Sequence, residues 1–440
     1  MALASGAHAR TRPRYGGALR AQTQAIAMSG DYTPEVLVGP VFETLVTVDD
    51  NGHLKPGLAI SWTSSNNGRR WEFTLRPGVT FHDGQPCDSP AIELSLSMMS
   101  GFPWRAHATA RGLVIESDEP QPNLPALLSL QRYAIFATQP NDHPVGTGPF
   151  EIENRTAAAF SLSANDKYWG GRPFVDRLEI TTSRNSRDQM SDFTLDRADV
   201  IEITPEQWRR AQQDHLRTSL SRPSQTVFVV MDSSRPGLQD VRLRQAIALS
   251  IDRYAIHNVI FQRQGEISAS LLPNWLTGYA FLFDPRQDIV RARQLRNEVG
   301  QAPPLAIAYD AGDQLQRLIA ERIALNVQDI GISMQAVPNT ASRIDLRIRV
   351  INLPSLDPAA ALSGIADQLG LTLPSIGASP ESLYNSERAA LQTYMAIPLV
   401  TVPRATALKD RVRNWTESPE GNRRFANVWL APRTRPEVRP

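Results

Sequence analysis

Residues 41–84 read VFETLVTVDDNGHLKPGLAISWTSSNNGRRWEFTLRPGVTFHDG. Two runs have strand chemistry, Phe42–Val48 and Trp71–Leu75, rich in β-branched and aromatic side chains. Asp50-Asn51-Gly52 and Asn66-Asn67-Gly68 are turn signals, since Asn and Gly tolerate the positive φ a tight turn demands. Trp71, Phe73 and Leu75 alternate with Glu72, Thr74 and Arg76, so one face of that strand is apolar. By itself this predicts a small meander of hairpins.

Working outward, 440 residues can bury a large core and suggest two or three domains. Hydrophobic residues at 41% and charged residues at 21% are ordinary for a globular protein. A formal charge of +1 gives no electrostatic attraction to nucleic acid or anionic lipid. The single cysteine, Cys87, excludes an internal disulfide. No apolar run approaches the ~20 residues of a membrane span.

Further along, Ser89-Pro90 predicts a helix start, with a short helix to about Ser100. Residues 101–145 are proline-rich and weakly periodic. Gly146-Thr147-Gly148-Pro149-Phe150 lacks the lysine of a phosphate-binding loop and reads as a turn into a strand at Phe150–Glu153. Strands are expected at Arg177–Thr181, Thr226–Met231, Leu305–Tyr309, Ile332–Val337 and Ile344–Ile351. Helices are expected at Thr204–Gln213, Asp240–Arg253, Asp284–Val299 and Asp313–Ile330. The apolar strands around the Asp313 helix suggest a parallel βαβ unit. Arg242 and Arg244 read as solvated or paired surface charges.

The order of these pieces resembles the solute-binding protein family 5, the dipeptide, oligopeptide and nickel receptors of bacterial ABC importers. The residues that carry the resemblance begin with Glu43, Leu45, Gly52, Pro56, Ser61, Trp62, Trp71, Phe73, Arg76, Gly78 and Phe81-His82-Asp83-Gly84. Gly146–Phe150, Asn165–Pro173, Asp240–Arg253 and the Ile397-Pro398-Leu399 segment continue it over nearly the whole chain. The resemblance implies an α/β, two-lobe periplasmic-binding-protein-like fold (type II, cluster C-like) with a hinge and an interlobe cleft. The first lobe is expected at 14–225, completed by about 395–430, and the second at 226–394. Residues 1–13 would be a signal remnant or disordered, and 431–440 a tail.

For chemistry, no histidine pair has zinc-protease spacing, and there is no nucleophile elbow, Walker lysine or dinucleotide fingerprint. His82-Asp83 reads as a satisfied turn and Cys87 as a packed residue. The expectation is therefore binding without catalysis, with no cofactor and no metal site. In peptide-binding relatives an aspartate of the second lobe pairs with the peptide's α-amino group, four residues before the proline of an acidic–proline pair. That pair looks like Asp357-Pro358, and the corresponding position holds Pro354. Losing a charged hydrogen bond of about 1.5–3 kcal/mol weakens a free amino terminus roughly tenfold or more. The candidate ligand contacts are Arg347 and Arg349, for a carboxylate or other anion, with Asn352 and Pro354 beside them. Trp104, Arg105 and Trp275 are candidate wall or lid residues.

The expected partners are a peptide or related small solute and the permease and ATPase subunits of an ABC importer, with the receptor a monomer and nucleic acid not a partner. Ala7-His8-Ala9 resembles the end of a signal peptide, but the charged and apolar regions that should precede it are missing. A periplasmic location is expected on the resemblance. The alternatives are a cytoplasmic regulator carrying a family 5 module, of the kind related to sugar-phosphate stress regulators, and a degenerate module that binds nothing small.

Overall fold

A computed structural model describes residues 12–432, except 24–27, 30–32, 139–143, 183, 301, 375 and 378. The expected signal remnant up to residue 11 and the tail from residue 433 lie outside the described residues.

The opening stretch folds as two hairpins. Val46–Val48 pairs with Leu54–Pro56, and Ala59–Ser65 pairs with Arg70–Leu75. Asn66, Asn67 and Gly68 all take positive φ, at 51°, 54° and 75°, which is why this turn is written in Asn and Gly. The expected long strand from Phe42 is shorter, because Glu43 leaves the hairpin to make an isolated bridge with Ile135. Two further strands, Arg105–Thr109 and Gly112–Glu116, complete a four-stranded sheet. They fall in the stretch that looked weakly periodic, because the first alternates only alanines with polar residues. Gly112 is required here. A Cβ would stand 1.9 Å from the Phe73 carbonyl oxygen.

The helix after this sheet begins one residue from its expected cap. Asp88, not Ser89, accepts from the Ala91 amide at 3.1 Å, and the helix runs Ser89–Ser97. Thr204 caps Pro205–Gln213 through a reciprocal capping box with Gln207, as its sequence foretold. The helix expected over Asp240–Arg253 ends at Ser250, and Asp252 caps a new turn from Arg253. Arg244 proves to be buried, donating from Nε to the Thr393 carbonyl at 2.8 Å and from one terminal nitrogen to the carbonyls of Leu238 and Gln239. Arg242 pairs with Asp240 at the surface.

Among the described residues the main sheet has eleven strands, one of which, Glu266–Ile267, pairs with Ala396–Leu408 off the main order. On one side the order is Phe150–Arg155, Ala159–Ala164, Arg177–Thr181, Ala18–Gln22 and Val200–Glu202. On the other it is Leu346–Asn352, Leu305–Tyr309 and Met334–Pro338, with Leu305–Tyr309 parallel to both neighbours. The expected parallel unit is therefore present, with helix Gln314–Gln328 connecting its strands. Two long antiparallel strands join the sides, Thr218–Met231 of 14 residues and Ala396–Leu408 of 13. Each is long enough to belong to both halves of the sheet. Their pairing is irregular at Pro223, which faces Pro403, with register shifts on either side. Two facing prolines remove two ladder donors, so the crossing strands are most weakly joined there.

Separate apolar cores follow. One packs Val227, Val229 and Met231 with the helices containing Leu243, Ile247, Ile319 and Ile323. A second underlies the hairpin sheet, around Phe73, Phe81, Ile92 and Ile115. A third surrounds Leu19, Phe150 and Leu178. The fourth lies on the other face of the crossing strand, around Phe228, Ile351, Leu356 and Leu362. Alternation along Val227–Met231 sends odd residues to one core and Phe228 to another.

Candidate ligand-binding cleft

The family-like motifs of the first half converge on one carboxylate. Glu43 accepts from Thr147 Oγ1 at 2.8 Å, Tyr168 Oη at 2.9 Å and Trp169 Nε1 at 2.9 Å. The Arg76 guanidinium stacks 4.0 Å from the centre of the Trp169 ring. Burial pushes the Glu43 carboxyl above its ordinary range, against the pull of its three donors. Four separate stretches of chain are thereby pinned at one point. This is a scaffold knot.

His82 and Asp83 do not form a pair. His82 Nε2 lies 3.0 Å from the Gly148 carbonyl, Asp83 accepts from the Gln85 amide, and burial lowers the His82 pKa. Cys87 is 5% exposed, and burial pushes its thiol up to about 12. Among the described residues no group of three or more His, Cys, Asp or Glu side chains is placed to hold a metal ion. No helix among them is long and apolar enough to cross a membrane.

The seven residues singled out in the sequence divide into two groups. Trp104 packs into the hairpin-sheet core, its ring 5.3 Å from Phe102 and 5.6 Å from Tyr133. Arg105 is exposed and donates to Asp118 at 2.9 Å. The ring and polar partners of both lie between Phe102 and Tyr133. The other five gather near the crossing strand. Trp275 Nε1 donates to the Pro223 carbonyl at 2.7 Å, and Arg222 lies 5.1 Å from its ring centre. Asn352 pairs in register with Gln225 and accepts from its side chain at 3.0 Å. Arg349 stands opposite Phe228 and Arg347 opposite Val230.

Arg347 and Arg349 are exposed, on the face of the strand opposite buried Leu346 and Ile348. Among the described residues neither side chain makes a hydrogen bond or ion pair. No ion pair among the described residues neutralises either guanidinium group. Pro354 is half-buried. A Cβ on Gly364 would lie 2.8 Å from the Pro354 ring and 3.3 Å from Leu130. An apolar contact thus stands where relatives are expected to place a carboxylate.

Helix Pro358–Leu369 carries this contact further. Its Ala360 is buried in the hairpin-sheet core, whereas Ala361, Leu362, Ile365 and Leu369 belong to the core around Phe228. Arg132 pairs with Asp367 across the same junction. The Leu356 carbonyl oxygen lies 2.9 Å from where a Gly52 Cβ would be, and Gly52 has a φ of 83°. Sequence reading missed this bridge, and with it Arg132, Arg222 and Gln225. The run of small residues Ala359–Ala361 and Gly364 was the available signal for close approach.

Comparison with known proteins follows the same lines. The chain is 23% identical over 367 residues to the nickel-binding periplasmic protein of Escherichia coli K12, covering 72% of this chain and 70% of the relative. It is 30% identical over 163 residues to the HTH-type transcriptional regulator SgrR of Pectobacterium atrosepticum, a match spanning 34% of this chain and 29% of that protein. Among solved structures, the periplasmic binding protein DppA of Helicobacter pylori in complex with the peptide STSA superposes with a TM-score of 0.81 at 18% identity, over 95% of this chain and 99% of that one. These relatives are named for binding or regulation, not for catalysis. The fold is the two-lobe α/β architecture of periplasmic binding proteins. Since residues 53–349 match the model of the bacterial extracellular solute-binding proteins, family 5 Middle, this chain belongs to that family.

Proposed function

We propose that this protein captures a small anionic solute between its lobes and presents it to a membrane permease and its ATPases. The first lobe is taken as 14–225 with about 395–430, and the second as 226–394. The observation that carries the reading is the pair Arg347 and Arg349, exposed and without side-chain partners among the described residues, on the strand beside the two long crossing strands, which are taken as the hinge. Pro354 supports it from the other side, because a proline packed on Gly364 offers no charge to an α-amino group. A cleft of this kind works by closing around its guest, with no bond made or broken. Peptide is retained as cargo only where its carboxylate, not its amine, is the recognised end.

Mass spectrometry of whatever co-purifies with the protein identifies the guest. A solute bearing a carboxylate or phosphate agrees with the reading, and a cationic or neutral one contradicts it. The double substitution of Arg347 and Arg349 to serine is expected to weaken that solute about 100-fold or more, since each charged hydrogen bond contributes about 1.5–3 kcal/mol. Calorimetry checks this, and an unchanged affinity removes the arginines from the site.

A second reading is a solute-sensing module of a cytoplasmic regulator. The 30% identity to SgrR over 163 residues, 34% of this chain, supports it. The two are separated by fractionating cells: export places the protein outside the cytoplasm, and the regulatory reading places it inside.

A further inference from the structure

Glu387 is fully buried on helix Pro380–Leu391, with no exposed surface. Among the described residues its hydrogen bonds come from a single loop. One oxygen accepts the Leu271 and Leu272 amides at 2.5 and 3.1 Å, and the other accepts Tyr279 Oη at 2.7 Å. Between those donors the loop carries Trp275, whose indole is tied to Pro223, the point where the crossing strands face each other proline to proline. One carboxyl group thus fastens the loop that grips the hinge.

Among the described residues the surroundings supply no countercharge. The loop contributes Tyr279, and beyond it Asp284, which is paired with Arg286. The helix itself contributes Tyr384, 5.5 Å from the Tyr279 ring, and Arg388, which lies over the Tyr384 ring. The neighbouring helix contributes Asp367, which goes to Arg132. The crossing strand places apolar Phe228 in this core. Among the described residues no arginine or lysine neutralises Glu387, and burial pushes its carboxyl up to about 7.

We infer that Glu387 is a proton-operated fastener: the loop 268–279 docks on the hinge most firmly when Glu387 carries a proton, and loosens when it gives that proton to solvent. The sign follows from linkage. In the undocked loop the carboxyl is solvated and returns to its ordinary range, so docking takes up one proton between that range and about 7. The docking equilibrium then falls up to tenfold per pH unit across the window and levels off above it. As a consequence, resting on the receptor reading, lobe opening and solute release are favoured on the alkaline side.

The test is hydrogen exchange of the Leu271 and Leu272 amides between about pH 5 and pH 9, corrected for base catalysis, on the full chain without added solute. The expected result is a loss of protection of up to about 100-fold between pH 5 and pH 7, then a plateau. E387Q removes the slope. Y279F, which keeps the ring and deletes one donor to the carboxylate, moves the plateau to higher pH. A flat wild-type profile, or the same slope in E387Q, overturns the inference. Because no solute enters the measurement, that failure leaves the receptor reading untouched, and a failure to bind solute leaves this profile unchanged.

Discussion

Replacing Glu43 with alanine is expected to lower stability by about 3 kcal/mol or more, since each buried donor left without an acceptor costs about 1–3 kcal/mol. Thr147 is 1% exposed and Tyr168 is half-buried, so neither recovers a full water partner, whereas Trp169 at 37% exposed largely does. The knot also couples the hairpin sheet to the main sheet, so the loss is felt beyond one side chain. Glu43→Gln keeps an acceptor and sheds the cost of a buried charge, and about 1–2 kcal/mol is expected. The pH dependence has a definite sign. Burial raises the Glu43 pKa, so the folded state holds a proton that the unfolded state has lost over the interval above the ordinary glutamate value. This group's contribution to stability therefore falls as pH rises through that interval, and Glu43→Gln removes that part of the slope. Urea unfolding of the three proteins at two pH values measures both effects. A loss under 1 kcal/mol in Glu43→Ala would show that the motifs do not meet on this carboxylate.

Phe228→Ala is expected to cost about 3–5 kcal/mol, the range for emptying a fully buried aromatic site. Phe228 has no exposed surface, and it stands between Arg349 on one neighbouring strand and Pro398 on the other. The cavity opens in the core that the bridging helix Pro358–Leu369 shares. Loosening of that helix is therefore expected as well. The measurement is the unfolding midpoint together with exchange of the helix's amides. Unfolding within 1 kcal/mol of the parent places Phe228 outside the core described here.

The strand and helix register was legible where periodicity and caps were strong. Arg177–Thr181 and Leu305–Tyr309 fall on the residues expected, and Thr204 caps its helix as read. The hairpin Arg105–Thr109 with Gly112–Glu116 was not legible, because alanine and histidine carry little strand signal and the apolar side of the pair lies on one strand only. Arg244 was read as a surface charge because an arginine in an amphipathic helix ordinarily is one. Its three carbonyl acceptors come from residues 238, 239 and 393, and the last is a contact that no local pattern encodes. Of the candidate residues, Arg347, Arg349 and Asn352 were legible as residue types on one strand. Their freedom from counterions, and the packing of Pro354 on Gly364, are long-range facts that appear only in three dimensions.

The most direct measurement is calorimetry of the purified protein against matched peptides and small acids, each peptide offered with a free and with an acetylated amino terminus. The account predicts that acetylation leaves affinity unchanged and that blocking the carboxylate abolishes it. Micromolar binding that drops tenfold or more on acetylation, with the blocked carboxylate tolerated, contradicts it.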